Sequence, residues 1–398
     1  MMTPPIISTA NMNEMITHQT HLSLQLTKRL LSEEAQESNL VYSPLSIQVV
    51  LSMIAAGSSG QTLDQLLSFL GSKTSNDLNA FASELVSFVL ADGSFSGGPL
   101  LSNANGLWFE KTLTIKPSFT ELMHNVYKAK AKPADFQNKP DEVKNEVNSW
   151  AERETRGLIK EVLPPGSVDS FTKLILANAL YFKGSWEEEF KASSTKEHGF
   201  HLLDGTSVQV PFMTSYKNQY VSAFDGFKVL GLPYEHGEDK RQFFMYIYLP
   251  NTKDGLHSLV EKLGSEPGFL DHHLPQQRVQ VGEIRIPKFE IEFGFEGSNI
   301  LKSLGLDLPF SGGEGAFTEM VDSSTSALRL SLFHKAFIKV DEEGTEAAAV
   351  SVGVVIPKSA IITTINFVAD HPFLFLIREG MTGTVLFIGH VLNPAQST

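Results

Sequence analysis

The stretch EEGTEAAAVSVGVVIPKSAIITT, residues 342–364, decides how the rest of the chain is read. It is poor in charge and rich in alanine and valine, and it lies between strand signals that are complete without it. Split by the two-residue period of a strand, it puts Thr345, Ala347, Ala349, Ser351 and Gly353 on one face. Glu346, Ala348, Val350, Val352 and Val354 fall on the other. The first face is tiny throughout. Such a strand can enter a sheet whose core is already filled, because it brings little side-chain volume. Alanine and glycine gain little from strand geometry unless a slot awaits them. Pattern alone leaves a second state open, a short helix capped by Thr345 with Glu346 in its first turn and three alanines behind. The valines from 350 onward and Gly353 oppose extending that helix.

Downstream, Pro357 fixes its own φ and pushes Ile356 toward an extended conformation. Residues 355–359 are thereby expected to be presented as an extended peptide, the form in which a protease cleft takes its substrate. Lys358 is the only Lys or Arg between Lys339 and Arg378. It suits an acidic pocket that recognises a basic residue before the cut bond. Judged alone, Lys358 is equally suited to be a solubilising gatekeeper within an apolar run.

The 398 residues are 42% hydrophobic and 19% charged, a globular composition with enough apolar mass for a large core. A net charge of −13 argues against nucleic-acid or anionic-membrane partners, which need clustered Lys and Arg. The one basic cluster, Lys128, Lys130 and Lys132, reads as a solvated face. The absence of cysteine excludes disulfides, thiolate nucleophiles and cysteine-held metals.

Residues 1–13 carry no basic or apolar signal segment and are expected to fray. No Asn-x-Ser/Thr acceptor occurs, and a cytoplasmic or nucleocytoplasmic location is expected. The apolar run 40–57 is short for a membrane span and reads as a buried helix entered through Pro44.

Helical spacing marks Leu22, Leu26 and Leu30, the unit 60–71 closed by Gly71, and Val143, Val147 and Trp150. Strand signals follow at 101–110, 171–184, 241–250, 278–292, 326–340, 366–379 and 384–393. The last two read as a hairpin through Gly380–Gly383, buried on both faces. No linker or repeat divides the chain. One α+β domain over 1–398, with sheets made largely of antiparallel strands, is expected.

The residues then match a known pattern. EEGTEAAAVS (342–351) resembles the hinge of serpins, the serine protease inhibitor superfamily, and FVADHPFLFLI (367–377) resembles their C-terminal signature. NLVYSPLSI (39–47), LANALYFKGSW (176–186), IPKFEIE (286–292) and HKAFIKV (334–340) are similar to serpin segments in the same order. The texture is most like the plant nucleocytoplasmic branch. The resemblance implies a serpin fold of three β-sheets and eight or nine helices, with residues 344–364 as an exposed reactive-centre loop. It implies a hinge at Glu343, Gly344, Thr345, Glu346, Ala347, Ala348 and Ala349. The reactive bond would be Lys358–Ser359, flanked by Ile356 and Pro357. Ser43, Ser46, Asn178 and His334 match a shutter that holds the central strands closed, and Trp186 matches the top of the sheet where insertion begins. The implied activity is suicide-substrate inhibition of a trypsin-like serine or cysteine protease by a monomer prone to loop–sheet polymerisation. The alternative is a serpin that does not inhibit and serves as carrier, chaperone or storage protein.

Other chemistries lack their residues. There is no G-x-S-x-G, Walker-type or H-E-x-x-H motif, so an enzyme is not expected. His272 and His273 beside Asp271 are adjacent rather than spaced as metal ligands, and neither metal nor cofactor is expected. Residues 311–317 are glycine-rich without the strand–turn–helix setting of a phosphate site.

Overall fold

The computed structural model describes residues 8–313, 315–322, 328, 330–345 and 364–396. Its three sheets hold seven, four and six strands. The largest runs Leu40–Tyr42, Val385–Val391, Phe373–Glu379, Phe243–Pro250, Phe227–Pro233, Gln219–Phe224, Arg278–Val279. Phe373–Glu379 and Val385–Val391 are its buried hairpin, as their continuous apolar runs require. The four-stranded sheet runs Ile365–Val368, Val281–Pro287, Ser207–Ser215, Lys196–His201.

The central six-stranded sheet runs Phe289–Glu296, Leu330–Val340, Leu174–Ser185, Leu100–Glu110, Lys130–Ala134, with Gly344–Thr345 attached to Leu174–Ser185. Alternation along Leu174–Ser185 serves two cores. Leu174, Leu176, Leu180 and Phe182 enter the large core, which gathers residues from Met15 to Leu392. Ile175, Ala177, Ala179 and Tyr181 enter a smaller core beneath the helix Pro140–Glu154. There Trp108 and Trp150 meet edge to face with ring centroids 4.8 Å apart.

Ten α-helical segments occur among the described residues. Phe269–His272 and Leu308–Ser311 are single turns, and the other eight are longer. Pro44–Gly57 is buried almost around its whole circumference, with Ser43 as its cap. Two expectations change. The N-terminal helix begins at Thr9, capped by Ser8, so residues 9–13 are ordered where fraying was expected. The apolar signal 278–292 divides between sheets, because Pro287 ends one strand and the next begins at Phe289. Lys130 and Lys132 lie on the edge strand of the central sheet, where charge and Pro133 disfavour pairing with another chain.

Candidate functional site

Gly344 and Thr345 lie antiparallel to the end of Leu174–Ser185, Gly344 opposite Ser185 and Thr345 opposite Gly184. The strand Leu330–Val340 pairs with the same edge in parallel, but its register ends at Phe337 opposite Tyr181. The hinge thus occupies the top of a seam that is closed below it. Gly344 has φ +151°, and a Cβ there would lie 2.1 Å from the Gly184 carbonyl oxygen, so only glycine fits. The turn before it is closed by the Asp341 N–H, which donates to the Gly344 carbonyl at 3.0 Å.

Three contacts hold this turn. The Trp186 backbone N–H donates to the Glu343 carbonyl at 2.9 Å, and its indole Nε1 donates to the Asp341 carbonyl at 3.0 Å. Trp186 also stacks on Tyr234, with centroids 4.5 Å apart and planes at 22°. The Tyr234 hydroxyl and Thr345 Oγ1 share a hydrogen bond of 2.9 Å, with Thr345 only 1% exposed. Burial pushes the Tyr234 phenol far above its usual range, so it stays neutral.

Electrostatics reinforce the seat. Glu342 pairs with Lys288 at 2.7 Å and accepts from Thr195 Oγ1 at 2.7 Å. Burial favours its neutral form, but the hydrogen bonds from Lys288 and Thr195 together outweigh that and hold its carboxyl below the usual range. Glu189 shifts the other way, raised by burial and by the charges of Glu343 and Glu235.

Lower in the same seam, His334 lies opposite Asn178 and Asn178 opposite Asn105, one row across three strands. The Ser43 backbone N–H donates to His334 Nε2 at 3.0 Å, which leaves the ring proton on Nδ1. Nδ1 donates to Asn178 Oδ1 at 2.8 Å, and Asn178 Nδ2 donates to Asn105 Oδ1 at 2.7 Å. Burial lowers the His334 pKa to about 3, consistent with the neutral ring these bonds require.

The structure therefore brings Glu343, Gly344, Thr345 and Trp186 together at the top of the seam, and Ser43, Asn178 and His334 together below it. Ser46 contributes differently from expectation: its N–H is capped by Ser43 Oγ at 3.1 Å, while its own buried hydroxyl has no hydrogen-bond partner. Tyr234, Asp341, Glu342, Lys288 and Asn105 were missed. Tyr234 and Lys288 come from strands of other sheets or the connections beside them, and nothing local in the sequence marks them. Glu346, Ala347, Ala348, Ala349, Ile356, Pro357, Lys358 and Ser359 lie outside the described residues. Among the described residues no cluster of three or more His, Asp or Glu could hold a metal ion, and no helix is long and apolar enough to cross a membrane.

Comparison with known proteins supplies the context for this arrangement. A family model described as Serpin (serine protease inhibitor) matches residues 17–394. Serpin-ZX of Arabidopsis thaliana is 57% identical over 389 residues, covering 96% of this chain and 99% of that one. Serpin-ZXA of Oryza sativa subsp. japonica is 54% identical over 392 residues, covering 97% and 98%. The solved structure of Arabidopsis AtSerpin1 in its native stressed conformation superposes with a TM-score of 0.90 at 56% identity, covering 97% of this chain and 99% of that one. With its three sheets and hinge-bearing seam, this chain belongs to the serpin family, generally protease inhibitors of the suicide-substrate type.

Proposed function

We propose that this chain traps a trypsin-like serine protease, or a cysteine protease of the same preference, by offering Lys358–Ser359 as the bond to cut. The protease nucleophile adds to the Lys358 carbonyl, the bond to Ser359 breaks, and the Ser359 amine leaves carrying a proton. Lys358 is then an acyl group on the protease. Strand addition, the general device of serpins, follows before water can hydrolyse that acyl bond.

The observation that carries this reading is the pairing of Thr345 with Gly184. It is antiparallel, it lies at the top of the seam, and it turns Thr345 toward the large core. Continued residue by residue, the same register brings Ala347 opposite Phe182, Ala349 opposite Leu180 and Ser351 opposite Asn178. All three belong to the tiny face. Ser351 would part the bond between Asn178 and His334 and offer its hydroxyl in exchange. The 14 residues from Thr345 to Lys358 span about 46 Å at about 3.3 Å each, so a tethered protease is carried most of the length of the sheet.

The test is incubation with trypsin. An inhibitor gives a covalent complex that survives denaturing electrophoresis and releases a peptide beginning at Ser359 by mass spectrometry. Cleavage without complex supports the carrier, chaperone or storage reading, and a cut elsewhere reassigns the specificity residue. We place the activity in the cytoplasm or nucleus, a reading supported by a chain without cysteine or glycosylation acceptors. Fractionation of cells expressing the full chain checks it. A loop suited to its own sheet suits a neighbour's, so the resting monomer is expected to polymerise on heating. Native electrophoresis after heating reads this directly.

A further inference from the structure

Away from the hinge, a cavity lies between the helices Thr9–Glu33, Pro44–Gly57 and Ser298–Ser303. Gln19, Leu22, Pro44, Gln48, Leu51 and Leu301 are among its walls. Its volume is about 10 Å³, room for the centre of a single water. The walls are apolar except for Ser23 and two glutamines, Gln19 and Gln48, which are 2% and 3% exposed. Each glutamine has a buried side-chain carbonyl oxygen without a hydrogen-bond partner.

The Gln19 amide cannot be turned to relieve this. The Ser23 hydroxyl donates to the Gln19 main-chain carbonyl at 2.6 Å, so toward the side chain its oxygen can only accept. It accepts from Gln19 Nε2 at 3.0 Å, which fixes the amide and directs Oε1 away from Ser23. Buried carbonyls are almost always paired, and these two belong to side chains that line one water-sized cavity from two helices, so one occupant could serve both.

We propose that this cavity is a binding site for one small molecule with two hydrogen-bond donors, a water that donates one hydrogen to Gln19 Oε1 and the other to Gln48 Oε1. Apolar walls and the size of the space exclude anything larger. The bound molecule ties the N-terminal helix to Pro44–Gly57. That second helix is capped by Ser43, whose N–H holds His334 in the seam that must open. The site therefore braces the helix beneath the shutter.

Two experiments on the full chain test it. A crystal structure at a resolution that shows ordered water is expected to hold a peak within hydrogen-bond distance of both Oε1 atoms. An empty cavity, or an occupant reaching only one carbonyl, overturns the proposal. Thermal denaturation of Gln19→Met, Gln48→Met and the double variant supplies the second reading. Each single change leaves one carbonyl with a poorly held partner and is expected to lower Tm by roughly 1–3 °C. The double variant leaves no orphan, so at least half of the summed loss is recovered. Simple additivity of the two losses would show that the carbonyls share no occupant.

Discussion

Thr345 Oγ1 and the Tyr234 hydroxyl are 2.9 Å apart in a buried contact between the hinge and the connection after a strand of the seven-stranded sheet, so Thr345 is already seated in the resting chain. The ring of Tyr234 is held by Trp186, and Trp186 holds the carbonyls of Asp341 and Glu343. One aromatic pair thus sets the position of the hinge.

Replacing Thr345 by arginine tests the slot. The side chain would meet Tyr234 in filled core, at a cost in overpacking and unpaired charge of several kcal/mol, on the order of 1–3 for packing alone. Thr345→Arg is expected to convert the inhibitor into a substrate, cut after Lys358 with little complex surviving electrophoresis. A complex yield equal to the wild type refutes the slot.

Tyr234→Phe keeps the stack on Trp186 and removes only the hydroxyl. The Thr345 hydroxyl is then buried without its partner, a loss of about 1–2 kcal/mol. Faster amide exchange at Gly344 and Thr345 is the expected readout, with the far-UV spectrum unchanged. Unaltered exchange would mean that the bond does not hold the hinge.

His334 gives the seam a pH dependence. Its pKa is about 3 in the folded chain against 6.5 for an unperturbed ring. Below pH 6.5 the unfolded chain therefore takes up a proton that the folded one refuses. The stabilisation is complete above pH 6.5 and is lost as the pH falls toward 3, about 2–3 kcal/mol of it by pH 4.5. His390, lowered by burial to about 4, acts in the same direction. Melting curves from pH 7 to 4 should fall more steeply for the wild type than for His334→Gln. Equal slopes would remove His334 from the account.

The register proposed for the inserted loop would place Ser351 inside and Val350 outside. Ser351→Arg is expected to raise the number of inhibitor molecules consumed per protease about tenfold or more, since it slows insertion against hydrolysis. Val350→Ala should change that number less than about twofold. Titration of trypsin activity separates them, and reversed sensitivities would shift the register by one residue.

Lys358→Leu removes the charge that, on the proposed function, anchors the bait. Trypsin association is expected to fall by about 100-fold or more, while proteases with apolar pockets gain. Undiminished trypsin trapping would move the specificity residue elsewhere in the loop.

Much of the fold was legible because its signals are local. The apolar run 373–377 suited a strand buried on both faces, and Pro44 announced a helix start. Ser43, Asn178 and His334 were singled out through the serpin resemblance, and hydrogen bonds join them in the structure. The joint at Pro287 was not reached, because an apolar alternation reads the same on either side of a change of sheet. Tyr234 was invisible for a related reason: its work is done on Thr345, 111 residues away.

The order of residues by itself determined that one segment has a tiny face when split by strand period, a proline at 357 that disfavours helix before it, and a single lysine at 358. Periodicity and side-chain volume are properties of neighbours in the chain, and they survive without a structure. Only the tertiary structure decided where that face enters. Strands distant in sequence end their register at Phe337 and Tyr181, and Gly184 without a side chain lies beside Tyr234. A slot is the space left between elements once they have packed, so no single stretch of sequence contains it.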